Sequence, residues 1–65
     1  MTKEEFAKAE YARRVEMEIS KTNLAKKAKV NRACIVKIEA GYPVRDYTVA
    51  MVCKALGMRI PKIED

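Results

Sequence analysis

Histidine and tryptophan are absent from this 65-residue chain, and glycine, proline and cysteine occur only twice each. Without histidine there is no tetrahedral Cys/His zinc pattern and no imidazole to act as general base. Two cysteines, Cys34 and Cys53, make no disulfide framework, and both thiols are expected to be reduced and structural. Cys34 has cations nearby that would favour a thiolate, but no resolving cysteine accompanies it for a redox switch. Long apolar runs are also missing. "TVAMVCKALGM" is far short of the roughly 20 residues that span a bilayer, and "MTKEEFAKAE" has no apolar signal-peptide core. A cytoplasmic protein with no membrane association is expected. Aromatics amount to 6%, so aliphatic side chains must supply the core.

What is present is charge and helix-forming sequence. Charged residues make up 35% and hydrophobic residues 49%, a globular and helical balance, and the length allows one domain with one small core. The net charge of +5 is unevenly placed. Residues 20–45 hold Lys21, Lys26, Lys27, Lys29, Arg32, Lys37 and Arg45 against Glu39 alone, a sum of +6, whereas residues 1–19 sum to −1 and residues 46–65 to zero. Such an asymmetry suits a surface that meets a polyanion.

Capping signals divide the chain into helices. Thr2 and Glu5 form a capping box, and the first helix is expected to run to about residue 18, burying Ala7, Tyr11 and Val15 opposite Lys3, Glu10, Arg13 and Glu16. Met17 and Ile19 extend that apolar stripe. Ser20 caps a short second helix with Leu24, Ala25 and Ala28 on one side and Lys26 and Lys27 on the other, ending near Lys29. Asn31 caps a third, Arg32 to Ala40, stopped by Gly41. Asp46 is the expected cap of a fourth helix with Val49, Val52, Cys53 and Leu56 inside, ended by Gly57, and a single turn is expected within "MRIPKIED". No segment has the alternation of a strand. The fold class is all-α, a compact bundle of four to five helices.

The second and third helices are joined by a tight turn and form a helix-turn-helix spanning about residues 21–40. If Ile35 and Ile38 pack against Leu24, Ala25 and Ala28, helical spacing sends Arg32, Ala33, Val36, Lys37 and Ala40 outward. That side is slim and has a cation at either end. In a DNA major groove Arg32 can bond the O6 and N7 acceptors of guanine, Lys37 can do so less directionally, and Ala33 and Val36 can meet thymine methyls. The bland alternative is a solvated helix face.

The stretch "ISKTNLAKKAKVNRACIVKIEAG", followed by "TVAMVCKALGM" and "IPKI", resembles the lambda-repressor-like (Cro/CI, or XRE) helix-turn-helix regulators over roughly residues 11–63. The resemblance implies a compact four- to five-helix DNA-binding domain whose segment 32–40 lies in the major groove of double-stranded DNA. It implies base contacts from Arg32, Ala33 and Lys37, phosphate contacts from Ser20 and Lys21, with Asn31, Tyr42, Arg45 and Tyr47 as flanking phosphate candidates, and a structural pair of Arg14 with Glu39. No cofactor, metal, small-molecule substrate or enzymatic activity is implied. The chain departs from the pattern at Glu18 and Lys29, where glycine is common, which predicts a reduced connection at the first and a differently shaped turn at the second. The loop after Gly41 also looks one residue short, with Tyr42 where a basic residue is frequent.

The expected function is that of a small Cro-like repressor acting on a palindromic operator as a homodimer, at least on DNA, with Met58, Ile60 and Ile63 either forming a small dimer surface or covering the core. The competing expectation is a protein-interaction module, such as an antitoxin or accessory factor, that holds a partner protein with the same fold.

Overall fold

Thr2 opens the first helix of the computed structural model, which describes residues 1–64, leaving Asp65 of the expected last turn outside the described residues. The Glu5 amide donates to Thr2 Oγ1 at 3.1 Å and the Thr2 amide to Glu5 Oε1 at 2.8 Å, so two otherwise unpaired donors are satisfied reciprocally. The helices are α1 (Lys3–Glu16), α2 (Lys21–Ala28), α3 (Arg32–Glu39) and α4 (Asp46–Leu56), and no strand occurs among the described residues. The protein is all-α.

Ser20 and Asn31 cap α2 and α3: Ser20 Oγ accepts the Asn23 amide at 3.0 Å and Asn31 Oδ1 the Ala33 amide at 2.9 Å. At α4 the expected cap is displaced. Arg45 holds the N-cap position with no side-chain bond, and Asp46 is the first helical residue. There its carboxylate gains from the positive end of the helix dipole without reaching back to an amide.

All four helices end in the same way. Two or three positions past each end, a residue donates its amide back five residues: Ile19 to the Arg14 carbonyl, Val30 to Ala25, Tyr42 to Lys37 and Met58 to Cys53. The residue before it takes positive φ each time, at Glu18 (54°), Lys29 (59°), Gly41 (80°) and Gly57 (67°). This corrects two expectations. Glu18 and Lys29 adopt the left-handed conformation that glycine takes elsewhere, at about 1 kcal/mol each. Ile19 and Val30, partly buried against the core, hold the chain there.

Phe6, Leu24, Ala25, Ala28, Ile35, Ile38, Val49, Val52, Cys53 and Leu56 form the core, with contributions from every helix. The inward sides of α2, α3 and α4 are those their apolar spacing predicts. α1 is turned by about one residue, or roughly 100°. It buries Phe6, Ala7 and Glu10, while Tyr11 and Val15, expected inside, are 53% and 49% exposed. The ring of Phe6 takes the central place, and the residue one turn on is then Glu10.

No helix follows Gly57 among the described residues, so the expected final turn does not form. Pro61 lacks an amide and disfavours helical geometry at Ile60, and the Glu64 amide donates to the Met1 carbonyl at 2.9 Å instead. Met58 and Ile63 lie partly buried on the core, and Ile60 is exposed. No helix of the described residues is long and apolar enough to cross a membrane.

Candidate nucleic-acid interface

The three-residue turn Lys29–Val30–Asn31 lets α2 and α3 pack on each other, and it decides which part of α3 is left outside. Ile35 and Ile38 are buried at 0% and 2% exposure, and Arg32, Ala33, Val36, Lys37 and Ala40 are exposed. The side away from the core is therefore a strip of small aliphatic residues with Arg32 near one end and Lys37 near the other. Eight residues of helix give it a length of about 12 Å.

The flanking candidates fall in different places. Ser20 is exposed and its hydroxyl oxygen is engaged as the α2 cap, with Lys21 half-buried beside it. The oxygen of Asn31 is likewise engaged as a cap. Arg45 shares one open depression with Cys34, Lys37, Pro43, Val44 and Thr48, which joins the loop before α4 to the exposed strip. Tyr42 borders a different cavity, of about 130 Å³, on the α1 side with Lys3, Phe6, Ile38 and Ile63 among its walls. Tyr47 is 68% exposed on the first turn of α4.

Behind the strip lies a buried polar pair. Arg14 on α1 donates from Nε to Glu39 Oε2 at 2.6 Å and from its Nη2 to Oε1 at 3.0 Å, and its Nη1 reaches the Ile19 carbonyl at 3.0 Å. The two side chains are 12% and 8% exposed, and the guanidinium carbon sits 5.3 Å from the centre of the Tyr11 ring. This pair ties the last residue of α3 to the last turn of α1. Burial pushes the Glu39 carboxyl up, but the hydrogen bonds and charge of Arg14 outweigh it and hold Glu39 below the ordinary carboxylate range.

Two residues of the site were not foreseen. Glu10, one turn before Arg14, is fully buried, and neither of its carboxylate oxygens accepts a hydrogen bond. Burial first, then the hydrogen bond that the protonated acid donates to Glu39 and the charge of that neighbour, push its carboxyl up to about 8, so it is mostly protonated at pH 7. The i, i+4 spacing to Arg14 is the signal that could have found it, although the sequence placed Glu10 on the solvent side of α1. The other is Thr22, whose Oγ1 accepts from Arg32 Nε at 3.1 Å across the turn. Nothing in the local spacing marks that contact, because it depends on how α2 crosses α3.

Cys53 is fully buried, and burial together with the Glu10 charge pushes its thiol up to about 11. Cys34 is half-buried on α3. Among the described residues no cluster of three or more cysteine or acidic side chains is placed to hold a metal ion. No family model, curated protein or solved structure matches the chain.

Proposed function

We propose that this chain is a lambda-repressor-like helix-turn-helix protein that binds double-stranded DNA by inserting α3 into the major groove. The observation that carries the reading is the division of α3: Ile35 and Ile38 wholly inside, and Arg32, Ala33, Val36 and Lys37 outside on a strip free of bulky or acidic side chains. A helix with its side chains is about 10 to 12 Å across and the groove about 12 Å wide, so a strip of this slimness is what entry requires. The concentration of +6 in residues 20–45 supplies the sequence-independent attraction to phosphate. Ser20, Lys21, Asn31, Arg45, Tyr42 and Tyr47 are the phosphate candidates, with Lys21 and Arg45 the cations among them.

A strip of about 12 Å reads only three to four base pairs at 3.4 Å each. Two copies on a palindromic site, with half-sites about one helical turn apart, supply the missing specificity. Regulation then consists of occupying the site, most simply as a cytoplasmic repressor, without catalysis.

Selection of sites from random double-stranded DNA tests this. A palindromic consensus, bound with an affinity that falls steeply with salt, is expected; failure to enrich any sequence overturns it. A second reading, an antitoxin or accessory factor that holds a partner protein, is favoured by Tyr11 and Val15, one turn apart and half exposed on α1. It predicts that Tyr11→Ser with Val15→Ser abolishes partner capture and leaves DNA binding intact.

A further inference from the structure

Arg32 is held before it meets any ligand. Its Nε donates to Thr22 Oγ1 at 3.1 Å, joining the first turn of α2 to the first residue of α3. Among the described residues, the side chains of the other interface cations, Lys21, Lys37 and Arg45, make no hydrogen bond or ion pair. Thr22 is itself a stiff partner, since β-branching restricts its χ1 within a helix.

The choice of nitrogen has a chemical consequence. A guanidinium carries five N–H donors in a fixed plane. With Nε committed to Thr22, the two Nη groups remain, and they form the end of the fork, with two parallel N–H bonds. In the major groove guanine offers two adjacent acceptors, O6 and N7. Adenine offers one acceptor beside a donor, cytosine a donor and thymine a single acceptor with a methyl group. A fork fixed end-on therefore discriminates for guanine, whereas an arginine free to turn contacts phosphate or any acceptor within reach.

We propose that Thr22 is a positioning residue that fixes the Arg32 fork so that the interface demands guanine at one position of each half-site. The inference rests on the DNA-binding reading above and adds to it a residue that contacts no base.

The test uses the full chain, first to select a site from random DNA and then to measure binding to that site with each base pair replaced in turn. The parent protein is expected to prefer guanine at one position about tenfold or more, and Arg32→Lys to abolish that preference while retaining the charge. Thr22→Val, isosteric but without an acceptor, should lower the guanine preference about five- to tenfold. It should leave affinity for unrelated DNA and the salt dependence unchanged. Thr22→Ser should restore the preference to within about twofold of the parent. Thr22→Ala repeats the measurement with a stronger helix former, so that a folding defect in the valine variant does not decide the result. If the valine and alanine variants keep the full guanine preference, or weaken every sequence equally, Thr22 has no positioning role, although DNA reading stands. If the parent enriches no sequence, both proposals fall.

Discussion

Replacing Glu10 with glutamine should stabilise the protein by an amount that grows with pH. The Glu10 carboxylate is fully buried with no donor to either oxygen, only the protonated acid can bond to Glu39, and its pKa rises from 4.5 to about 8 on folding. Between those values the folded chain holds a proton that the unfolded chain has released, so stability falls as pH rises through this window. Below it both states are protonated and the group contributes nothing; above it both are ionised and the penalty is constant. A shift from 4.5 to about 8, at about 1.4 kcal/mol per unit, gives a full penalty of at most about 5 kcal/mol, of which about 3 is present at pH 7 and under 1 at pH 5. For a chain of this length the total stability is roughly 3 to 10 kcal/mol, so the alkaline loss is a large part of the whole. Glu39 acts in a separate window: its pKa is lowered, so its contribution is present above the ordinary glutamate value and is lost as pH falls through the folded value. Urea denaturation at pH 5, 7 and 8.5, followed by circular dichroism, should show the parent losing stability across this range relative to Glu10→Gln. All other titrating groups are common to both proteins, so the difference isolates Glu10 to first order. Parallel pH dependences for the two proteins would refute the reasoning, whichever is the more stable.

Arg14→Ala should destabilise by about 3 kcal/mol, because it leaves Glu39 buried without its partner, and a loss below about 1 kcal/mol in the same denaturation assay would show that solvent screens the pair. Glu18→Gly and Lys29→Gly should each stabilise by about 0.5 kcal/mol or less, the relief of about 1 kcal/mol of left-handed strain less the added freedom of the unfolded chain. An equal gain from alanine at either position would contradict that assignment. Under native conditions a thiol reagent should modify Cys34 alone, and Cys53 should react only after denaturation.

The starts of α1, α2 and α3 were legible because their capping side chains are unambiguous: Thr2 with Glu5, then Ser20, then Asn31. Asp46 misled because a carboxylate is favourable both at the cap and in the first turn, and only a hydrogen bond separates the two. The inward side of α1 was misread for a related reason. With alanines at 7, 9 and 12, its sequence fits two neighbouring faces, and the choice is made by Phe6 and by the Arg14–Glu39 pair, which lie in tertiary contacts. At Glu18 and Lys29 local preference argued against a left-handed residue, and the packing of Ile19 and Val30 overrode it. The outward strip of α3 could be deduced from sequence, since Ile35 and Ile38 leave only one side free. The bond between Thr22 and Arg32 could not, because it requires the crossing of two helices.

The Arg14–Glu39 pair closes a loop of the chain. Its partners are 25 positions apart, and between them lie α2, the turn and α3 up to its last residue. Joining the ends of such a segment removes much of the freedom it would gain on opening alone, as a cross-link does. Amide hydrogens of residues 20–39 should therefore exchange together, in a single cooperative opening that also requires the end of α1 to let go. The segment after Gly57, fastened by Met58 and Ile63 on the core, by the Met58–Cys53 and Glu64–Met1 backbone bonds and by the exposed Met1 ammonium at Lys62 and Glu64, lies outside that loop and is free to open at lower energy.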